Sequence, residues 1–228
     1  MTRRMVLVDI DGTLFGGMNS EVAFILYLLR RGRLGLRQLM SAAWFYLRWA
    51  PRYRRHVAKK NKAYLNGLKV DDISTWATQF VNDALLPRIR PVMLQRLAAH
   101  RRAGDFIALL SGTPAFIVQP MAQALHADGW SATHCDVKDG VFSAAPPITH
   151  PFNKEKLQRG AELCAKHGLS LTKATAYADS GHDLPLLCCV QRPVAVSPDA
   201  SLKRIARVHH WEIIDPEQAT VLHSPLGI

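Results

Sequence analysis

Two aspartates, Asp9 and Asp11, stand two residues apart where a short apolar run, Met5 to Val8, ends, and Gly12 follows them. The run reads as a buried strand, and paired carboxylates at its end are costly unless a cation or a reaction uses their charge. Asp179 and Asp183 follow a second run of this kind, 174–178. Between these pairs lie Ser111-Gly112-Thr113, after the apolar run 106–110, and Lys154, at the start of a helical pattern. Three carboxylates from two strand ends suit one Mg²⁺, which takes a few oxygen ligands plus water and phosphate. One aspartate can attack phosphorus and a second can protonate the leaving oxygen, then activate water. Ser111, the backbone of Gly112 and Lys154 would hold the phosphoryl oxygens, with Lys154 and the metal neutralising charge. Taken singly, each feature has a plainer reading: Asp-Gly as a turn, Ser-Gly-Thr as a helix cap, Lys154 as a solvated lysine, Asp183 as an N-cap. Their shared order and context carry the weight.

These residues need a scaffold that brings strand ends to one edge. From about residue 92 onward the pattern alternates: helix 92–102, strand 106–110, helix 115–126, a short hairpin 133–143 around Asp139-Gly140, helix 154–167, strand 174–178, helix 184–190, strand 193–196 and helix 199–207. Strands alternating with helices imply an α/β fold with a doubly wound, Rossmann-like parallel sheet, whose ligands sit at the carboxyl ends of the strands. Residues 20–86 instead read as four successive helices without a strand, 22–29, 36–49, 53–65 and 73–85, with the second stopping before Pro51. They would form a helical-bundle cap inserted after the first strand, giving a core of residues 1–15 and 88–228 and a cap of residues 16–87.

Charge is distributed unevenly over the 228 residues. The chain carries 29 Lys and Arg against 18 Asp and Glu, a net charge of +11. Between Val22 and Val70 there is no acidic residue and there are twelve basic ones; the rest of the chain is nearly balanced at 17 basic against 18 acidic. The same segment holds the run Trp44 to Trp49, aromatic and basic side chains in close mixture. This composition suits a helix at an anionic membrane surface, or an ordinary bundle with a solvated basic face. A nucleic-acid partner is disfavoured, because a carboxylate-lined mouth repels phosphodiesters. No stretch approaches the roughly 18 apolar residues of a membrane span, and the N-terminus lacks the pattern of a signal peptide. Cys135, Cys164, Cys188 and Cys189 have no metal or disulfide spacing, which fits a reducing compartment. The expected location is therefore cytoplasmic, with peripheral contact at the inner membrane surface.

The segments Asp-Ile-Asp-Gly-Thr, Leu-Leu-Ser-Gly-Thr, Lys154 and Tyr-Ala-Asp-Ser-Gly-His-Asp-Leu-Pro-Leu-Leu together resemble the haloacid dehalogenase superfamily, most closely its phosphoserine-phosphatase-like branch (subfamily IB). The resemblance implies a Mg²⁺-dependent phosphomonoester hydrolase working through an aspartyl-phosphate on a small phosphorylated metabolite or lipid. It implies Asp9 as nucleophile and metal ligand, and Asp11 as acid/base with its backbone carbonyl on the metal. Ser111, Gly112 and Lys154 would bind phosphate, Asp179 would ligate the metal, and Asp183 would hold the metal's water or Lys154. His182 stands where the branch usually has Asn. Glu21 is the nearest match to the branch's substrate-reading Glu, though later in the chain than expected. The helices would be a mobile cap excluding water. A phosphotransferase would share these motifs. The contrasting reading is a non-catalytic module that binds anionic membranes or nucleic acid through the basic cap.

Overall fold

The computed structural model describes residues 3–215. Apolar side chains alternate between the faces of β1 (Met5–Val8): Met5 and Leu7 point into one core, Val6 and Val8 into another. A strand buried on both faces needs helices on both sides, and the chain supplies them. After β1 come α1 (Ser20–Arg30), α2 (Leu36–Tyr53), the short α3 (Val57–Lys60) and α4 (Val70–Phe80), then α5 (Pro91–Arg102). The chain continues through β2 (Phe106–Pro114), α6 (Ala115–Ala124), β3 (Gly129–Thr133), a hairpin of β4 (Val137–Lys138) and β5 (Val141–Phe142), and α7 (Lys154–Lys166). It ends with β6 (Thr175–Ala178), α8 (Leu184–Leu187), β7 (Arg192–Val196), α9 (Ala200–Val208) and β8 (Glu212–Ile214).

Six strands form one parallel sheet in the order β3-β2-β1-β6-β7-β8. This is the expected doubly wound α/β architecture. Because β1 lies between β2 and β6, the segments after these three strands meet at one edge. The Asp9 N–H extends the ladder by donating to the Tyr177 carbonyl at 3.0 Å.

Several local expectations change. Strand β2 runs four residues past Leu110, so Ser111-Gly112-Thr113 is extended chain beside a register shift, not a turn at a helix N-terminus. Helix α2 passes through Pro51 and ends at Tyr53; Pro51 lies in the last turn on the exposed side. The expected third helix is broken into two 3₁₀ turns flanking α3. The hairpin turns on Asp139 and Gly140, both at positive φ, as a two-residue type I′ connection requires.

The inserted helices do not keep a core of their own. Phe24 of α1 packs on Phe80 and on Phe116 of α6, with ring centroids 5.3 and 5.4 Å apart, and one buried cluster runs from Val6 and Val8 to Phe24, Leu28, Tyr64 and Phe80. The hairpin also joins them: Gly67 donates to the Phe142 carbonyl and Phe142 to that of Leu68. Only the outer part of the segment has a small cluster of its own, Phe45, Val57 and Ala63.

On the opposite face α7 lies close to the sheet at Gly160. A Cβ there would come within 3.2–3.3 Å of Leu110, Leu186 and Leu7. Gly160→Val should therefore overpack this contact and cost about 1–3 kcal/mol, read as a lower urea midpoint.

Candidate functional site

The carboxyl edge of the sheet opens into a cleft of about 370 Å³. Asp9 enters it from β1, Ser111 and Gly112 from β2, and Asp179, His182 and Asp183 from the loop after β6. Asn19 and Glu21 of the α1 start, and Ala58 and Lys59 of α3, close it from the inserted helices. Carboxylate oxygens of Asp9, Asp179 and Asp183 all lie within 4.8 Å of one another. Gly12, at φ +85°, makes the approach fit: a Cβ there would stand 2.0 Å from Asp179 Oδ2.

The cation inside this cluster is Lys156. Its Nζ lies 2.8 Å from Asp9 Oδ1 and 2.7 Å from Asp183 Oδ2, and the side chain is buried. Lys154, the lysine expected here, is exposed at the first position of α7 and does not line the cleft. The physical reason is helical phase. Lys156 shares the inward face with Gly160, Leu163 and Cys164, whereas Lys154 is two residues off that face. The spacing 156, 160, 163 was the available signal.

Three carboxylates facing one ammonium leave two negative charges uncompensated. Burial, then the Asp9 and Asp183 carboxylates, push Asp179 up to about 7. Asp183 is raised too, by its burial foremost. Burial opposes the charge on Lys156, but Asp183 and Asp9 outweigh it and hold its proton well above the ordinary lysine range. An oxygen donor set with this charge deficit fits a hard divalent cation such as Mg²⁺.

Asp11 is held apart from the cluster. It accepts from the Ser20 N–H (2.6 Å), Thr113 Oγ1 (2.7 Å), Ser20 Oγ (2.9 Å) and Asn19 Nδ2 (3.0 Å), which fixes it at the start of α1. Asn19 caps that helix through the Glu21 and Val22 N–H groups. Burial raises the Asp11 pKa in spite of the Ser20 and Thr113 hydrogen bonds. Ser111 Oγ stands 3.1 Å from Thr113 Oγ1, so one hydroxyl pair links the β2 end to Asp11.

Thr133, His150, Asp199, Phe152 and Lys59 also shape the site and are not marked as site residues in the sequence. Thr133 Oγ1 donates to the Gly112 carbonyl at 2.6 Å, so His150 Nδ1, 2.8 Å away, must carry the proton it shares with that oxygen. His150 Nε2 is left as a buried acceptor with no hydrogen-bond partner among the described residues. Asp199 caps α9 through the Leu202 N–H and also accepts from Gly181 N–H and Ser180 Oγ, bracing the loop that carries Asp183. Phe152 gathers the cleft mouth, with His182 at 4.7 Å between centroids and the Lys59 ammonium 3.7 Å over its ring. Glu21 is paired to buried Lys62 and accepts from Tyr64 Oη at 2.9 Å. These contacts join residues far apart in the chain, so no local motif announces them.

Two measurements test this geometry. Lys156→Met should leave buried carboxylates unpaired and cost about 3–5 kcal/mol, whereas Lys154→Met should change stability by less than about 0.5 kcal/mol, both by urea denaturation. His150 has a pKa lowered to about 3, by burial first and then by Lys62, Lys60 and Lys59. The unfolded chain therefore binds a proton below about pH 6.5 that the native state refuses until about pH 3. Over that window the wild type should lose up to about 1.4 kcal/mol more per pH unit than His150→Asn.

Comparison with known proteins agrees with this geometry. The family model of haloacid dehalogenase-like hydrolases matches residues 6–187. The chain is 29% identical over 216 residues to phosphoserine phosphatase SerB1 of Mycobacterium tuberculosis, covering 91% of this chain and 69% of that protein. It is 26% identical over 226 residues to a histidinol-phosphatase of Neisseria meningitidis, covering 93% and 99% of the two chains. A solved Bordetella pertussis protein of unknown function superposes with a TM-score of 0.80 at 28% identity, over 95% of this chain and 100% of that one. A phosphoserine phosphatase in apo form shares the fold, with a TM-score of 0.63 at 14% identity over 99% and 100% of the chains. With its parallel sheet, its clustered aspartates and a matching family model over most of its length, the chain belongs to the haloacid dehalogenase-like hydrolases.

Proposed function

We propose that the protein is a Mg²⁺-dependent phosphatase that hydrolyses a phosphomonoester through an aspartyl-phosphate on Asp9. The observation that carries this reading is the buried cluster of Asp9, Asp179 and Asp183 around Lys156, with a second aspartate, Asp11, held beside it. A module that only binds membranes or nucleic acid has no use for such a costly arrangement.

In this reading Asp9 attacks phosphorus as the bond to the leaving oxygen breaks. Asp11, whose pKa burial raises, gives its proton to that oxygen. It then takes a proton from the water that attacks the phosphorus of the acyl phosphate, releasing phosphate and restoring Asp9. Ser111 Oγ, the Gly112 backbone and Lys156 receive the phosphoryl oxygens, Lys156 taking the part expected of Lys154. Asp183 aims the Lys156 ammonium at Asp9. Asp9, the backbone carbonyl of Asp11 and Asp179 would hold the metal. The chemistry the ion supplies when bound is neutralisation of the phosphoryl charge. The helices over residues 16–87 act as the cap domain, and His182 lines the mouth beside Phe152.

The substrate is argued from the mouth. Glu21 is engaged by Lys62 and Tyr64 and so is not free to read an amine. Lys59 brings positive charge to the cleft outside the carboxylate cluster. These features favour a phosphomonoester with a further anionic or neutral polar group over phosphoserine, whether borne by a metabolite or a lipid.

The test is phosphate release from phosphoserine, histidinol phosphate, sugar phosphates and lipid phosphates in vesicles. Release should require Mg²⁺ and fall about a thousandfold or more in Asp9→Asn, with phosphoserine among the poorer substrates. Turnover that persists in Asp9→Asn would overturn the mechanism.

A further inference from the structure

Helix α2 presents two faces, and only one is covered. Its inward side carries Phe45, which is buried, with Trp49 and Tyr53 stacked behind it at centroid separations of 6.1 and 5.5 Å. Its outward side is not polar. Leu36, Met40, Trp44 and Leu47 are 73%, 63%, 67% and 70% exposed. At 100° per residue these four, with Leu39 and Ala43, fall within one arc of about 140°. No charged residue interrupts that arc. Arg37, Arg48 and Arg52 lie together along one border of it, all exposed. A surface helix ordinarily turns its apolar stripe inward and its charges out; α2 has an inward stripe and, in addition, an outward one. Exposed apolar patches of this kind mark interaction surfaces.

We propose that this outer face of α2 docks the protein on an anionic lipid bilayer. The occupant follows from charge and shape together. An aliphatic and indole arc bordered by arginines is the make-up of a helix lying in the membrane interface, with Trp44 placed as aromatic residues are at that level. The arginines meet anionic headgroups, and the segment from Val22 to Val70 offers no acidic residue to repel them. A second copy of the chain docking face to face would set arginine against arginine. A nucleic acid would meet the arginines but leave Leu36, Met40 and Leu47 uncovered. Among the described residues no helix is long and apolar enough to cross a membrane, so the contact is peripheral. Five and six residues past the end of α2, Ala58 and Lys59 line the catalytic cleft, so a docked α2 would hold the cleft mouth near the lipid surface. The proposal rests on α2 alone and stands without the phosphatase reading.

The experiment is co-flotation of the full chain with vesicles of phosphatidylcholine alone and of equal parts phosphatidylcholine and phosphatidylglycerol. Binding should be about tenfold or more stronger to the anionic vesicles and weaken with salt. Met40→Glu/Leu47→Glu should lose about tenfold or more of that binding while keeping the wild-type thermal midpoint, which separates lost docking from lost fold. A blue shift of tryptophan emission on vesicles should disappear in Trp44→Phe. Equal affinity for both vesicle types, or unchanged binding by the double Glu variant, would overturn the proposal. So would the absence of vesicle binding alongside a dimer in sedimentation that the same variant dissolves, which would assign the face to a second copy.

Discussion

The carboxyl edge of the sheet holds more negative charge than the protein itself neutralises. Asp9 and Asp179 are brought side by side by the pairing of β1 with β6, and Asp183 is turned toward them by a loop braced on Asp199. One buried lysine cannot balance three carboxylates. That imbalance explains several neighbouring choices: a glycine at position 12, where any side chain would strike Asp179, and a lysine on the inward face of α7. It also explains why Asp11 is drawn away, to hydroxyl and backbone donors at the start of α1. The arrangement leaves room for positive charge that arrives from outside, as the proposed function requires.

One short motif thus places its two aspartates in two different environments. Asp9 lies where the sheet forces it among like charges. Asp11, two residues on, faces neutral donors supplied by the inserted helices and by β2. The separation depends on Ser20 and Thr113, which belong to elements far apart in sequence. The helical insertion therefore helps to set the environment of Asp11.

Much of this was readable in the chain. The apolar runs of β1, β2, β6 and β7 fixed the parallel sheet, and the aspartates at their ends fixed its working edge. Lys154 and Lys156 differ in helical phase, which the sequence carries only in the spacing of Lys156 with Gly160 and Leu163 and not in the residues at the helix start. Ser111-Gly112-Thr113 reads as a turn from composition, yet it runs as extended chain across an irregularity between the Leu110 and Pro114 pairings with β3. Strand β8 is three residues at a sheet edge, too short for a pattern. His150 and Thr133 meet only because β3 and the loop before α7 converge under Gly112, which no local signal records.

The continuity of the core from the sheet into α1 and α4 has a consequence for how such proteins can be re-engineered. Phe24, Phe80 and Phe116 form one aromatic junction, so the inserted segment is not an exchangeable module. Transplanting it whole would tear out part of the interior on which α6 folds. The portion with its own small core, residues 36–63, is different: its contacts with the rest include Phe152, Asn66, Glu21 and Ala144, and Ala42 touches the main core. A graft confined to that stretch leaves the aromatic junction intact, so its surface can be exchanged while the fold is kept.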